Sequence, residues 1–144
     1  MNKANRINRI VCLALVICFL AAVLCSCGDR LKIVDAKKTF VEFLEAVESE
    51  DYEEAEEYLH PSYPGVLDLV FEMIEIREGI DFQKSIDIEK FSSTSYSYYD
   101  SKYGGSQCSF EVKAKVSDVP VIMEVTVVDN DSGYGIYDFV IYKK

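Results

Sequence analysis

The chain has 144 residues, with 15 Lys and Arg against 25 Asp and Glu and a formal charge of −10. One core fits that length and a second domain does not. A field of that sign repels DNA, RNA and anionic headgroups, which argues against nucleic-acid binding and polybasic membrane docking and mainly favours solubility.

Met1 to Arg9 is short, basic and free of acids, Ile10 to Leu24 is an unbroken apolar run of 15 residues, and small residues follow at Cys25-Ser26-Cys27-Gly28. This is the three-part layout of a secretory signal. A helix crossing a hydrocarbon core needs ~20 apolar residues, so an uncleaved anchor is the second choice. Leu24-Cys25-Ser26-Cys27 resembles a lipobox, with Leu three places before the modified Cys and a small residue immediately before it. Cys25 fits less well, because Leu24 directly precedes it. The resemblance implies a diacylglyceryl thioether on Cys27, cleavage on its amino side with loss of residues 1–26, and a protein held at the extracytoplasmic face of the cell membrane. The bland alternative is that Cys25 and Cys27 are ordinary small residues of a signal. Lys3, Arg6 and Arg9 leave with residues 1–26, so the mature chain carries 12 basic against 25 acidic residues, a formal −13.

Of five Cys, Cys12, Cys18 and Cys25 also leave and Cys27 is acylated, so Cys108 has no partner for a disulfide. Residues 27–32 form the acylated Cys and a short tether, and residues 33–144 a single domain. Gly28 to Lys32 reach only ~17 Å at about 3.3 Å per residue, which keeps the domain close to the bilayer.

Ala36, Phe40, Phe43, Leu44 and Val47 recur at helical spacing, with Lys37, Lys38, Glu42, Glu45 and Glu48 elsewhere on the wheel. Asp51 with Glu54 has the form of an N-cap and its partner, opening a short second helix through Tyr52, Ala55, Tyr58 and Leu59 that Pro61 stops. His60, the one His of the chain, sits at that stop, where the commonest role is a last-turn cation near helix carbonyls. Val66, Leu67, Val70, Phe71 and Ile74 give a third stripe, closed by Gly79 as a left-handed cap with Ile80 as its packing contact. From Ile86 the period becomes two. Cys108, Phe110, Val112, Ala114 and Val116 alternate with Ser109, Glu111, Lys113 and Lys115, a strand with one face buried. Ser117 to Pro120 reverses the chain into Val121 to Val128, and residues 129–133 turn it into a last strand, Tyr134 to Tyr142.

Helices followed by antiparallel strands define an α+β chain: N-terminal helices packed on a curved sheet of about four strands. Phe40 to Ala46, Asp51 to Ala55, Tyr58-Leu59, Tyr99 to Gly105 and Gly133 to Phe139 resemble small bacterial lipoproteins of the cystatin-like or nuclear-transport-factor-2-like cone fold, over about residues 33 to 144. These are packing and turn motifs, so the resemblance implies a fold, with enzymes, ligand binders and inert partners all among its members.

Asp138 interrupts an apolar alternation, sharing a face with Ile136 and Val140, and with His60 or a Tyr would suit proton transfer. A structural or interface role is the commoner one for such an Asp. One His, one unacylated Cys and no HExxH or CxxC argue against zinc. The turn from Asp129 lacks the twelfth-position Glu of a calcium loop, where Val140 stands. No glycine-rich phosphate loop is present, and no cofactor is expected. Tyr96, Tyr98, Tyr99 and Tyr103, interleaved with Ser, form either a structural hairpin or a recognition surface.

The leading expectation is a membrane-tethered, non-enzymatic accessory or protein-binding domain. Its alternatives are a binder of a small apolar or aromatic ligand in a cone mouth lined by Phe71, Cys108, Phe110, Met123 and Phe139, and a proton-transfer enzyme using Asp138 or His60. Expected partners are the membrane, through the lipid, and an envelope protein or small ligand. Nucleic acid is not among them. Ile122, Val128 and the two-faced last strand raise a homodimer through the outer sheet face.

Overall fold

Cys108, Phe110, Val112, Ala114 and Val116 are all buried, as a strand with one wet face requires. They belong to a four-stranded antiparallel sheet in a computed structural model that describes residues 31–144. The element order is α1 (Ile33–Glu48), α2 (Tyr52–Glu57), α3 (Leu67–Glu78), β1 (Ile86–Asp100), β2 (Gly105–Val116), β3 (Val119–Asn130) and β4 (Gly133–Lys143). Helices packed on a four-stranded antiparallel sheet make the chain α+β. Each strand pairs with its neighbour in sequence, in the order β1-β2-β3-β4.

The local chemistry sets these boundaries. Asp51 Oδ1 accepts the Glu54 N–H at 2.9 Å and caps α2. Gly79 ends α3 at φ 62, and Ile80 beyond it is buried. Ser117 and Asp118, at φ 51 and 65, turn β2 into β3 in the two-residue geometry whose twist suits a hairpin. At the next turn Asn130 Oδ1 accepts the Ser132 N–H at 2.8 Å.

The predicted stripe of α1 is the buried one, from Ala36 to Val47. Phe40 meets Phe110 edge-on at 5.9 Å, while Phe43 lies 5.3 Å from Phe139 and Phe71 4.9 Å from Phe82. Polar bonds join the helices to β4: the Thr39 and Tyr134 hydroxyls meet at 2.7 Å, and Arg77 donates to the Ile141 carbonyl at 2.7 Å.

Three expectations are corrected, in β4, β3 and α3. Thr126 pairs with Asp138 but Val127 with Ile136, so Tyr137 is an extra, bulged residue. The bulge reverses the side-chain phase. Ile136 therefore joins Phe139 and Ile141 in the core instead of sharing a face with Asp138. On β3, Val128, which pairs with Gly135, is fully buried rather than wet. In α3, Leu67, Phe71 and Ile74 face inward, whereas Val66, placed in that stripe by its spacing, is 56% exposed as the helix N-cap.

Candidate functional site

The outer face of the sheet holds a groove of about 330 Å³ lined by Ser93, Ser109, Glu111, Glu124, Thr126 and Asp138 over Phe110, Val125 and Val140. Strand register assembles it. Glu111 faces Glu124, which faces Val140, and Ser109 faces Thr126, which faces Asp138. Like charges directly opposite are unfavourable, and hydroxyls offset this pair. Ser92 donates to Glu111 at 2.8 Å and Tyr142 to Glu124 at 2.8 Å. That bond to Glu124, with some burial, holds the Tyr142 hydroxyl above its ordinary pKa. Ser109 and Thr126 share a bond at 2.9 Å, and Gln107 donates to Ser109. The groove offers acceptors and hydroxyls to a polar ligand. Among the described residues, no three His, Cys, Asp or Glu side chains converge to hold a metal ion.

Asp138 therefore lies in a wet groove, exposed, and His60 lies elsewhere, 1% exposed. Both His60 nitrogens are engaged. Nδ1 accepts the Ser62 N–H at 3.0 Å, which makes Nε2 the protonated nitrogen and the donor to Asn130 Oδ1 at 3.1 Å. His60 is thus a neutral imidazole and not the helix-end cation that its place in the sequence suggested. Asn130 also donates to the Tyr103 carbonyl at 2.8 Å, and Tyr137 packs on the rings of His60 and Tyr103 at 5.3 and 5.0 Å. The structure does not bring Asp138 and His60 together as a proton-transfer pair through any hydrogen bond.

The tyrosine cluster divides. Tyr96, Tyr98 and Tyr99 are exposed on β1, while Tyr103 turns in against Tyr137, with Lys102 bonded to its hydroxyl at 2.9 Å. β1 is an edge strand carrying one extra residue at each of three register shifts, and Ser93 at φ 49 marks one of them. Such bulges blunt an edge against pairing with other chains.

Phe71, Cys108, Phe110, Met123 and Phe139 are core side chains, none more than 7% exposed. A ligand reaching them would have to displace their packing. Burial pushes the Cys108 thiol up, with the Lys37 charge a smaller opposing effect. Cys27 and residues 1–26 lie outside the described residues, and among those described no helix is long and apolar enough to cross a membrane.

One surface escaped the sequence reading. Val66, Leu69, Met73 and Ile76 are 56%, 54%, 63% and 77% exposed, spaced three, four and three along α3. Apolar residues fill both sides of this helix, so periodicity alone cannot choose the side that packs. No family model matches the chain, and no curated protein does either.

Proposed function

We propose that this chain is a lipid-anchored extracytoplasmic protein whose folded part is a non-enzymatic accessory domain of the cystatin-like or nuclear-transport-factor-2-like cone type. The observation that carries it is the basic, apolar and small-residue start ending in Leu24-Cys25-Ser26-Cys27, followed four residues later by Leu31, a core side chain. A diacylglyceryl group supplies two acyl chains, enough for stable attachment where one gives only marginal binding.

The accessory role is supported by the engaged His60 nitrogens and the separate Asp138. The exposed α3 stripe supports protein binding, since an apolar row at that spacing is the contact pattern of helix pairs. The cone assignment is supported by the three helices that, among the described residues, precede a four-stranded meander, with α1 laid on the sheet through Phe40 and Phe110.

Membrane fractionation and intact mass of the chain expressed in a bacterium test the anchor. The expected product starts at Cys27, carries the mass of acyl chains and sediments with membranes, while Cys27→Ser leaves a non-acylated chain that does not. A Cys27→Ser protein that stays processed and membrane-bound would overturn the proposal.

A further inference from the structure

Charge is distributed unevenly along the helical layer. Residues 29–38 hold four basic and two acidic side chains, whereas residues 39–76 hold twelve acidic side chains and no Lys or Arg. The structure gives this division a direction. On the side of α1 turned away from its buried stripe, Val34, Lys38 and Val41 follow one another at helical spacing, with Ile33 and Lys37 at the border of that side, and Glu42, Glu45 and Glu48 continue it toward the far end. Val34 is 75% and Ile33 39% exposed. Lys32 is exposed, Lys38 extends into solvent while pairing with Glu42 at 3.1 Å, and Lys37 lies over the Phe91 ring at 5.3 Å.

We infer that this first turn and a half of α1 is a bilayer-contacting surface, which seats Ile33 and Val34 among the headgroups of an anionic membrane and stands α1 with its acidic end away from it. The inference rests on the lipid-anchor reading. Only Gly28, Asp29 and Arg30 separate Cys27 from buried Leu31. Three residues reach about 10 Å, so the start of α1 is held at headgroup depth. The charge then chooses the tilt. A helix of 16 residues spans about 24 Å, so an end-on α1 carries Glu45 and Glu48 beyond the ~10 Å over which charges act at moderate salt. A flat α1 would press those carboxylates onto lipid phosphates. The whole-chain charge argued against polybasic docking; this short basic segment next to the anchor acts locally, as juxtamembrane Lys and Arg do.

The chain contains no Trp and ten Tyr, so Val34→Trp and Ile76→Trp each introduce a single indole that can be excited at wavelengths the tyrosines do not absorb, one at the inferred contact and one on α3. The mature chain from Cys27 is coupled through that thiol to maleimide-bearing lipid in vesicles, with Cys108 protected by burial. Vesicles of brominated phosphatidylcholine, with or without phosphatidylglycerol, serve as the quencher. Expected is strong quenching of Val34→Trp with phosphatidylglycerol present, loss of most of it when Lys37→Glu and Lys38→Glu are added, and little quenching of Ile76→Trp. Quenching of Val34→Trp no greater than that of Ile76→Trp would overturn the inference, as would quenching indifferent to the two charge reversals. Intact mass of the native protein separates the two ideas. An acylated chain without this quenching sinks the contact surface alone, and an unmodified Cys27 sinks the anchor whatever the quenching shows.

Discussion

Gly135 lies so close to the backbone of Leu59 that a methyl group on it would stand 2.5 Å from the Leu59 carbonyl carbon. The approach exists because the residues after α2 run beside β4. His60 N–H donates to the Ile136 carbonyl and Ile136 N–H to the Tyr58 carbonyl, each at 2.9 Å. Gly135→Ala must move backbone and part these bonds, at φ 155. The expected loss is about 3 kcal/mol, from ~1–3 kcal/mol of strain and ~1 kcal/mol per lost bond. Gly79→Ala, whose nearest neighbour is the flexible end of Lys143, is expected to lose only about 1 kcal/mol. Urea unfolding of the two variants checks the contrast.

His60 and Asn130 together tie residues 60–62, Tyr103 and the β3–β4 turn, three segments distant in sequence. Removing His60 leaves a space in the core, strands the Ser62 N–H and takes from Asn130 Oδ1 one of its two donors, so His60→Ala is expected to lose about 3 kcal/mol and Asn130→Ala about 2 kcal/mol. The two losses should fall short of adding by more than ~0.5 kcal/mol in a double-mutant cycle. Ring nitrogen chemical shifts should report the Nε2–H tautomer, and a protonated Nδ1 in the native protein would contradict the geometry.

Acid should weaken the fold partly through Glu78 and Asp81. The Lys143 N–H first, and then Arg77, hold the Glu78 carboxyl below its ordinary pKa; the Gln83 N–H and then Lys84 do the same for Asp81. A pKa depressed in the folded state gives stability that is present above the unfolded value, ~4 for a carboxyl, and is lost as pH falls through the folded value. Denaturation midpoints should therefore drop on acidification below about pH 4. Glu78→Gln should start lower near neutrality and fall less steeply.

Cys108 should resist thiol reagents. Its side chain has no exposure and its thiol is held protonated by burial, so reaction with a disulfide reagent should be at least about a hundredfold slower in the folded protein than in urea. Similar rates in both conditions would place the thiol at the surface.

The elements that local chemistry dictates were legible in the sequence. The α1 stripe, the Asp51 cap, the Gly79 stop and the alternation from Cys108 to Val116 each depend on residues within a few positions of one another. What was hidden depends on partners far along the chain. Tyr137 is a bulge only because β3 pairs as it does, and His60 is a neutral bridge only because the β3–β4 turn brings Asn130 to it. The groove was likewise invisible, because Glu111, Glu124 and Asp138 meet through register alone. For α3, two apolar sides competed for the core, and the one that won carries Phe71, which packs on Phe43, Phe82 and Phe139.

The meander order of the four strands has a kinetic consequence. Every strand-to-strand ladder closes across a loop of two or four residues, so little chain entropy opposes zipping one hairpin onto the next. The parallel bridge at Leu59 closes a loop of more than seventy residues and draws on a sheet that already exists. Assembly should run from the carboxyl-terminal hairpins toward the helices, with amide protons of β2 and β3 protected earliest in pulsed hydrogen exchange and that of His60 among the last.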